Sequence, residues 1–101
     1  MYFIQFNTQP NRDKQPLTEY IGALILCWID LQNSKKAQQR AQFVIEDLGW
    51  DIKSLENIFE VTEESYSDNA KGLEYYQQAL IDNEVFVIHP WKKEPKKQDE
   101  K

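Results

Sequence analysis

The sequence contains very few of the residues that most often build catalytic or metal sites. Its 101 residues include one cysteine, Cys27, and one histidine, His89. One cysteine excludes an internal disulfide, which is typical of a reducing compartment, so we expect a cytoplasmic protein. A single Cys and a single His cannot supply the ligands of a closed zinc site, and we expect neither a metal nor a cofactor.

Glycine is equally scarce, and the chain has no long apolar run. The three glycines, Gly22, Gly49 and Gly72, are scattered, which excludes a glycine-rich phosphate loop. The longest apolar run, residues 21–29, is far too short to span a bilayer, and residues 1–9 do not have the pattern of a signal peptide. The sequence therefore predicts no membrane partner.

Acidic residues outnumber basic residues, which limits the kinds of partner that the chain can bind. The net charge is −5, and residues 92–101 carry five lysines against three acidic residues, which leaves −7 on residues 1–91. Because that part of the chain repels phosphates, we expect no nucleic-acid partner. The charge leaves open an acidic inhibitor that mimics nucleic acid, although ordinary solubility explains it equally well.

What the chain does contain is a series of amphipathic segments, beginning with two strands. Residues 2–8 alternate between apolar and polar positions, as in a half-buried strand. Residues 21–31 are apolar on both alternating faces, which predicts a central strand, with a buried helix as the alternative. Between them, residues 9–19 contain two prolines and predict a long loop that can act as a mobile flap.

Two helices and two further strands follow. A helix is predicted from Asn33 or Ser34 to Gly49 by its cap and its apolar spacing. Residues 51–64 predict a strand region with Leu55, Phe59 and Val61 facing inward. Residues 73–83 predict a second helix, for which Asp68 is a candidate cap. A strand at residues 84–89 is then expected to stop at Pro90, since proline cannot donate a ladder hydrogen bond.

The order ββαβαβ predicts an α+β fold. Because each strand–helix–strand unit favours a parallel crossover of one hand, we expect a four-stranded sheet with two helices on one face. This is a two-layer sandwich and a variant of the ferredoxin-like arrangement. Residues 1–91 are expected to form a single domain, and residues 92–101 a disordered charged tail.

The uncovered sheet face supplies the main functional hypothesis. If both helices cover one face of strands that are apolar on both, the other face needs a partner to exclude water. The sequence therefore indicates a non-enzymatic domain that forms a homodimer or binds a protein partner. The abundant aromatics, 13% of the chain, are equally consistent with an interface and with a larger core. The interface candidates are Phe3, Trp28, Ile58 and Trp91.

His89 supports an alternative hypothesis, a small-molecule-binding protein or enzyme with a pocket near the end of the last strand. A pocket between that strand end and the loop at residues 9–19 would join His89 to Arg12, Asp30 or a glutamate. A Cys27–His89 pair is a known catalytic arrangement, but burial in an apolar strand would keep the thiol protonated. His89, Cys27 and Arg12 are therefore ligand-site candidates, and no residue is assigned a catalytic role.

Residues 48–91 also carry a resemblance. They contain Gly49-Trp50 at a helix end, the helical segment GLEYYQQAL and the closing strand EVFVIHPW. This segment resembles a small uncharacterised bacterial family of α+β proteins. The resemblance implies a bacterial cytosolic protein, and it implies no activity and no site residues.

Overall fold

The computed structural model describes residues 1–93 of the chain. Four strands, two helices and one short 3₁₀ turn account for most of them. In chain order these are β1 (Tyr2–Pro10), β2 (Tyr20–Ile29), α1 (Ser34–Asp47), β3 (Trp50–Glu60), the 3₁₀ turn (Glu63–Tyr66), α2 (Ala70–Asp82) and β4 (Glu84–Lys92). The order and type of these elements confirm the predicted α+β class with four strands and two helices.

The four strands form one antiparallel sheet in the order β3-β1-β2-β4. β1 and β2 are the central strands, and β3 and β4 are the two edges. β2 and β3 both run antiparallel to β1, so they are parallel to each other with β1 between them. β4 runs antiparallel to β2, so the second crossover joins antiparallel strands, contrary to expectation. The ferredoxin-like order is not confirmed.

The two helices pack against opposite faces of the sheet, which corrects the expectation that they share one face. Ile25 and Cys27 of β2 pack with Ala37 and Ala41 of α1, on the face that we call the α1 face. Trp28 of β2, together with Phe3 and Val87, packs with Ala79 of α2 on the other face, the α2 face. The side chains of β2 are apolar on both faces of the sheet, so both faces must be shielded from water. α1 shields one face and α2 shields the other.

α1 begins and ends as its sequence predicts. The side chain of Asn33 accepts a hydrogen bond from the backbone N–H of Lys36 at 2.9 Å, which satisfies one of the free donors of the first turn. The helix ends before Gly49, whose φ of 99° is favourable only for glycine. On the buried face, small side chains such as Ala37 and Ala41 let the helix approach the sheet closely.

α2 is capped by Asn69 and not by the predicted Asp68. The Asn69 side chain accepts a hydrogen bond from the Gly72 N–H at 2.9 Å, which is the standard geometry for a residue one position before the helix. The helix ends at Asn83, which has a left-handed φ of 73°. Asn tolerates this conformation better than most residues with a side chain.

The inward and outward sides of β3 were predicted only in part. Val61 is buried, but Leu55 and Phe59 are 39% and 51% exposed. Ile58, one of the interface candidates, packs against the core of the α1 face. The register with β1 shifts at Lys53 and at Glu56, and the shift at Glu56 places Leu55 and Phe59 on opposite faces of the sheet. Each extra residue reverses the alternation for the residues that follow.

β4 continues through Pro90, contrary to the prediction that it stops there. Pro90 pairs with Ala23, and the strand reaches Lys92. A proline is compatible with β4 because an edge strand has one side on which a missing N–H breaks no ladder hydrogen bond. Of the predicted disordered tail, Lys92 lies in β4, and residues 94–101 lie outside the described residues.

Candidate functional site

A groove of about 610 Å³ lies on the α2 face. It forms because α2 packs over β4 and β2, and the same face of β1 and β3 extends beyond the helix. All four strands contribute to it, together with the 3₁₀ turn and the first two turns of α2. The lining residues are Phe3, Leu26, Trp28, Phe59, Val61, Ser65, Tyr66, Asn69, Lys71, Gly72, Tyr75 and His89.

Aromatic rings in mutual contact form the base of the groove. The ring centroids of Phe3 and Trp28 are 5.0 Å apart in an edge-to-face arrangement, and those of Trp28 and Tyr75 are 4.8 Å apart. Phe59 lies 5.2 Å from Phe3 and is the most exposed of these four rings. Such contacts contribute about 0.5–1.5 kcal/mol each beyond the area they bury, so the base is held in a defined shape.

Trp28 and Tyr66 form a hydrogen bond beside this base. The indole Nε1–H of Trp28, a residue only 3% exposed, donates to the Tyr66 hydroxyl oxygen at 2.7 Å. Burial raises the pKa of Tyr66, so the hydroxyl stays protonated across the neutral range. Because the oxygen accepts from Trp28, the O–H proton of Tyr66 remains able to donate to a bound molecule.

Gly72 positions the Tyr66 ring against α2. A Cβ atom built on Gly72 would lie 2.5 Å from the ring, which is closer than real side chains approach. Any larger residue at this position would therefore displace Tyr66 and change the shape of the groove. Position 72 is therefore a glycine because the Tyr66 ring occupies the space that a side chain would need.

The polar groups of the groove are mainly hydrogen-bond donors. Lys71 places its ammonium 5.5 Å from the centroid of the Tyr75 ring and 3.4 Å from a carboxylate oxygen of Glu74. His89 lines the groove from β4, and Asn69 retains its side-chain N–H groups because its oxygen serves as the helix cap. Among the described residues that line the groove there is no Asp, Glu or Cys. This set can bind an acceptor, but it contains no carboxylate or thiol to pair with His89 in acid–base or nucleophilic catalysis.

On β1 and β3, the α2 face beside the groove is polar. Next to the groove, Asn57 donates to Gln5 across β3 and β1 at 3.2 Å. Asn7 follows on the same face, and its buried side-chain oxygen has no hydrogen-bond partner among the described residues. The α2 face is therefore not wholly apolar, and on β1 and β3 its apolar residues Phe3 and Phe59 lie in the groove.

The structure brings together three of the residues that the sequence singled out and separates the others. Phe3, Trp28 and His89 all line the groove. Trp91 lies further along the same face, where its indole packs over Gly22 and is 43% exposed. Ile58 lies on the α1 face.

Cys27 and His89 do not meet. Cys27 pairs with Phe86 and lies in the core of the α1 face, whereas His89 pairs with Leu24 and lies on the α2 face. Burial raises the pKa of the Cys27 thiol far above its ordinary range, with a smaller contribution from Glu84. The thiol is therefore protonated and unreactive, as the apolar sequence around it predicts.

The loop between β1 and β2 lies away from the groove. Arg12 donates to the backbone oxygens of Thr18 and Tyr20 at 3.1 and 3.2 Å, so it holds the loop itself. The Asn11 N–H and the Lys14 ammonium bond to backbone oxygens of Gly49 and Glu46 near the end of α1. Asp30 lines a separate depression with Arg40 and Glu84. The groove at His89 is bounded by the 3₁₀ turn and α2, and not by this loop.

Several groove residues were not identified from the sequence, namely Phe59, Tyr66, Lys71 and Tyr75. The excess of aromatic residues was the available signal. It did not indicate which rings would converge, because that depends on the face on which α2 lies.

The described residues contain neither a cluster of metal ligands nor a membrane-spanning helix. Within residues 1–93, His, Cys, Asp and Glu side chains do not gather in threes as metal ligands would. Neither described helix has the length and the apolar character needed to cross a membrane.

No family model matches the chain, and neither a curated protein nor a solved structure matches it. The resemblance of residues 48–91 to a bacterial family and the cytoplasmic location therefore stay predictions.

Proposed function

We propose that this chain is a non-enzymatic binding domain whose groove on the α2 face holds a small molecule with a flat apolar body. The observation that carries the proposal is the groove of about 610 Å³ with its base of aromatic rings. Small-molecule sites are typically about 300–1,000 Å³, mostly apolar, and equipped with a few polar groups that orient the ligand. The groove has each of these properties.

The polar groups of the groove favour a ligand with an acceptor or an anionic group at one end. Tyr66, Asn69 and Lys71 offer hydrogens, and the ammonium of Lys71 adds positive charge in a chain with a net charge of −5. A carboxylate would gain a charge-assisted hydrogen bond there. The face of the Tyr75 ring would attract a cationic ligand, but the ammonium of Lys71 lies over that ring and would repel it. The ligand class is therefore an aromatic acid.

The groove combines residues from the two hypotheses drawn from the sequence, the interface on the sheet face and the pocket near His89. Phe3 and Trp28 keep a binding role, but inside a groove and not on a bare sheet face. His89 keeps a place in a ligand site, but beside α2 and without Cys27 or Arg12.

Binding of 2-naphthoate, with its uncharged alcohol analogue as the second probe, tests the proposal. We expect saturable binding of 2-naphthoate, with NMR shifts concentrated on the Trp28 indole N–H and on residues 65–75, and weaker binding of the alcohol. Phe59→Gln removes one side of the groove at an exposed position, so it should weaken binding at least tenfold, or about 1.4 kcal/mol.

Leu55→Gln is the matched control for Phe59→Gln. Leu55 is an exposed apolar residue of the same strand, and it pairs with Phe6 on the α1 face. Its replacement should leave binding unchanged. Equal losses in the two variants, shifts spread over the α1 face, or no saturation with either probe would each refute the proposed site.

A further inference from the structure

The two edges of the sheet differ in how they are protected against pairing with another strand. On β3, the charged residues Lys53 and Glu56 occupy the two positions where the register with β1 shifts. Charges and irregularities of this kind are the usual protection of an edge strand. β4 has Pro90 as an edge-protecting residue, but it has no Asp, Glu, Lys or Arg from Val85 to Trp91, and within the described residues its ladder with β2 is regular from Glu84 to Trp91.

The side chains of β4 are also incompletely covered. α1 packs over β3 and the two central strands, and it reaches β4 through the Arg40–Glu84 ion pair. Phe86 and Ile88 on that face are therefore only partly buried, although both contact the core. A strand placed beside β4 would cover them further.

We propose that β4 pairs antiparallel with β4 of a second copy of the chain, with Ile88 on the two-fold axis. The two sheets then join into one sheet of eight strands. In this register the nine residues of β4 overlap completely. Val85 lies opposite Trp91 of the second copy, Phe86 opposite Pro90, and Val87 opposite His89, so every inner pair is uncharged.

Charge complementarity at the strand ends selects this arrangement. The two charged residues of β4 are Glu84 at its start and Lys92 at its end. Antiparallel pairing centred on Ile88 places each Glu84 opposite Lys92 of the other copy, whereas parallel pairing in register would place like charges together. Opposite charges across a strand pair stabilise it and like charges destabilise it.

The ion pairs that Glu84 and Lys92 form within each copy add further charges of alternating sign at the ends of the paired strands. Glu84 already binds Arg40 at 2.8 Å, and Lys92 binds Glu19 at 3.1 Å. Pairing of the two strands would create a row of Arg40, Glu84, Lys92 and Glu19 with alternating signs, crossing from one copy to the other. Exposed ion pairs contribute about 0–1 kcal/mol each, and a charge reversal turns two such attractions in one dimer into two repulsions.

The resulting dimer is a weak one. A single strand pair buries less area than the ~1,200–2,000 Å² of stable interfaces, so dissociation in the micromolar range is expected. Pro90 also lacks an N–H and can withhold one hydrogen bond per chain. The assembly is independent of the ligand proposal, because the groove and the free edge of β4 are different surfaces.

Sedimentation velocity over a concentration series tests the dimer through two charge variants. The wild-type mass should rise from 12.0 kDa toward twice that value. Glu84→Lys and Lys92→Glu each place like charges at both ends of the paired strands, so each variant alone should associate at least tenfold more weakly. An equimolar mixture of the two restores both attractions and should form a heterodimer.

Lys53→Glu makes the same charge change on the β3 edge and should leave association unchanged, while circular dichroism verifies that each variant is folded. A wild-type chain that stays at 12.0 kDa at ~0.5 mM, a mixture that does not associate, or a dimer lost with Phe59→Gln but retained with Lys92→Glu would overturn the proposal.

Discussion

Cys27 is the residue whose chemistry is most altered by its position. It is fully buried on β2, and burial raises the pKa of its thiol well above the ordinary range. In the unfolded chain the thiol would ionise at pH above about 8.5. The folded protein therefore retains a proton that the unfolded chain releases, and this difference makes stability depend on pH.

We expect the free energy of unfolding to fall as the pH rises above about 8.5 because of Cys27. The slope from one retained proton is at most about 1.4 kcal/mol per pH unit, and the contribution is fully present below the unfolded pKa. Urea denaturation at several pH values measures it, with Cys27→Ala as the comparison. If the variant keeps the same slope as the wild type, another group is responsible.

At the scale of elements, the helix caps are the clearest case of a local sequence signal that decides structure. Asn33 and Asn69 each bond a backbone N–H in the first turn of their helix. The start of α1 was predictable, because Asn33 precedes a run with helical apolar spacing. The start of α2 was not, because Asp68 and Asn69 are both good caps and only the backbone geometry distinguishes them.

Replacement of Asn33 by Ala should lower the free energy of unfolding by about 1 kcal/mol, since the Lys36 N–H then loses its partner. Asn33→Asp keeps an acceptor at the same place and should retain most of the stability. Urea denaturation of both variants measures the difference. Asn33 is suited to this test because it lies outside the groove. Equal losses in the two variants would show that the cap hydrogen bond does not stabilise α1.

β3 shows that the alternation of residues along a strand is not sufficient to predict which side chains lie on which face of the sheet. The inward set Leu55, Phe59 and Val61 follows from strict alternation, which holds only while the register is continuous. Lys53 and Glu56 interrupt the register, and no local property of their side chains announces the interruption. β2 was predicted as a central strand because it is apolar on both faces, although the predicted residues 21–31 extend two residues beyond its end at Ile29.

For the whole molecule, the most consequential difference from expectation is the side on which α2 lies. The sequence predicts that α2 is amphipathic, but the choice of face depends on where β3 and β4 lie in the sheet. They occupy opposite edges, and α2 crosses the face that α1 leaves uncovered. The groove exists because of this crossing, so the candidate site could not be predicted even though Phe3, Trp28 and His89 were singled out.

The sheet order also predicts a gradient of local stability across the molecule. β1 and β2 are hydrogen-bonded on both sides and carry fully buried residues such as Ile4 and Ile25. Their amides should exchange with solvent most slowly, and those of β3 near Lys53 and Glu56 much faster, because edges open locally. Amide hydrogen exchange followed by NMR measures this. Equal protection of β1 and β3 would contradict the assignment of β3 as an edge.

The connectivity of the sheet also determines the sequence in which its strands can assemble. The β1–β2 ladder joins neighbours along the chain, whereas Tyr2 of β1 meets Glu60 and Tyr20 of β2 meets Lys92. Ladders between distant segments require the closure of long loops, and proteins rich in them fold slowly. The β1–β2 hairpin is therefore the natural nucleus. The partly formed chain must keep this apolar hairpin from misfolding until both outer strands have joined it.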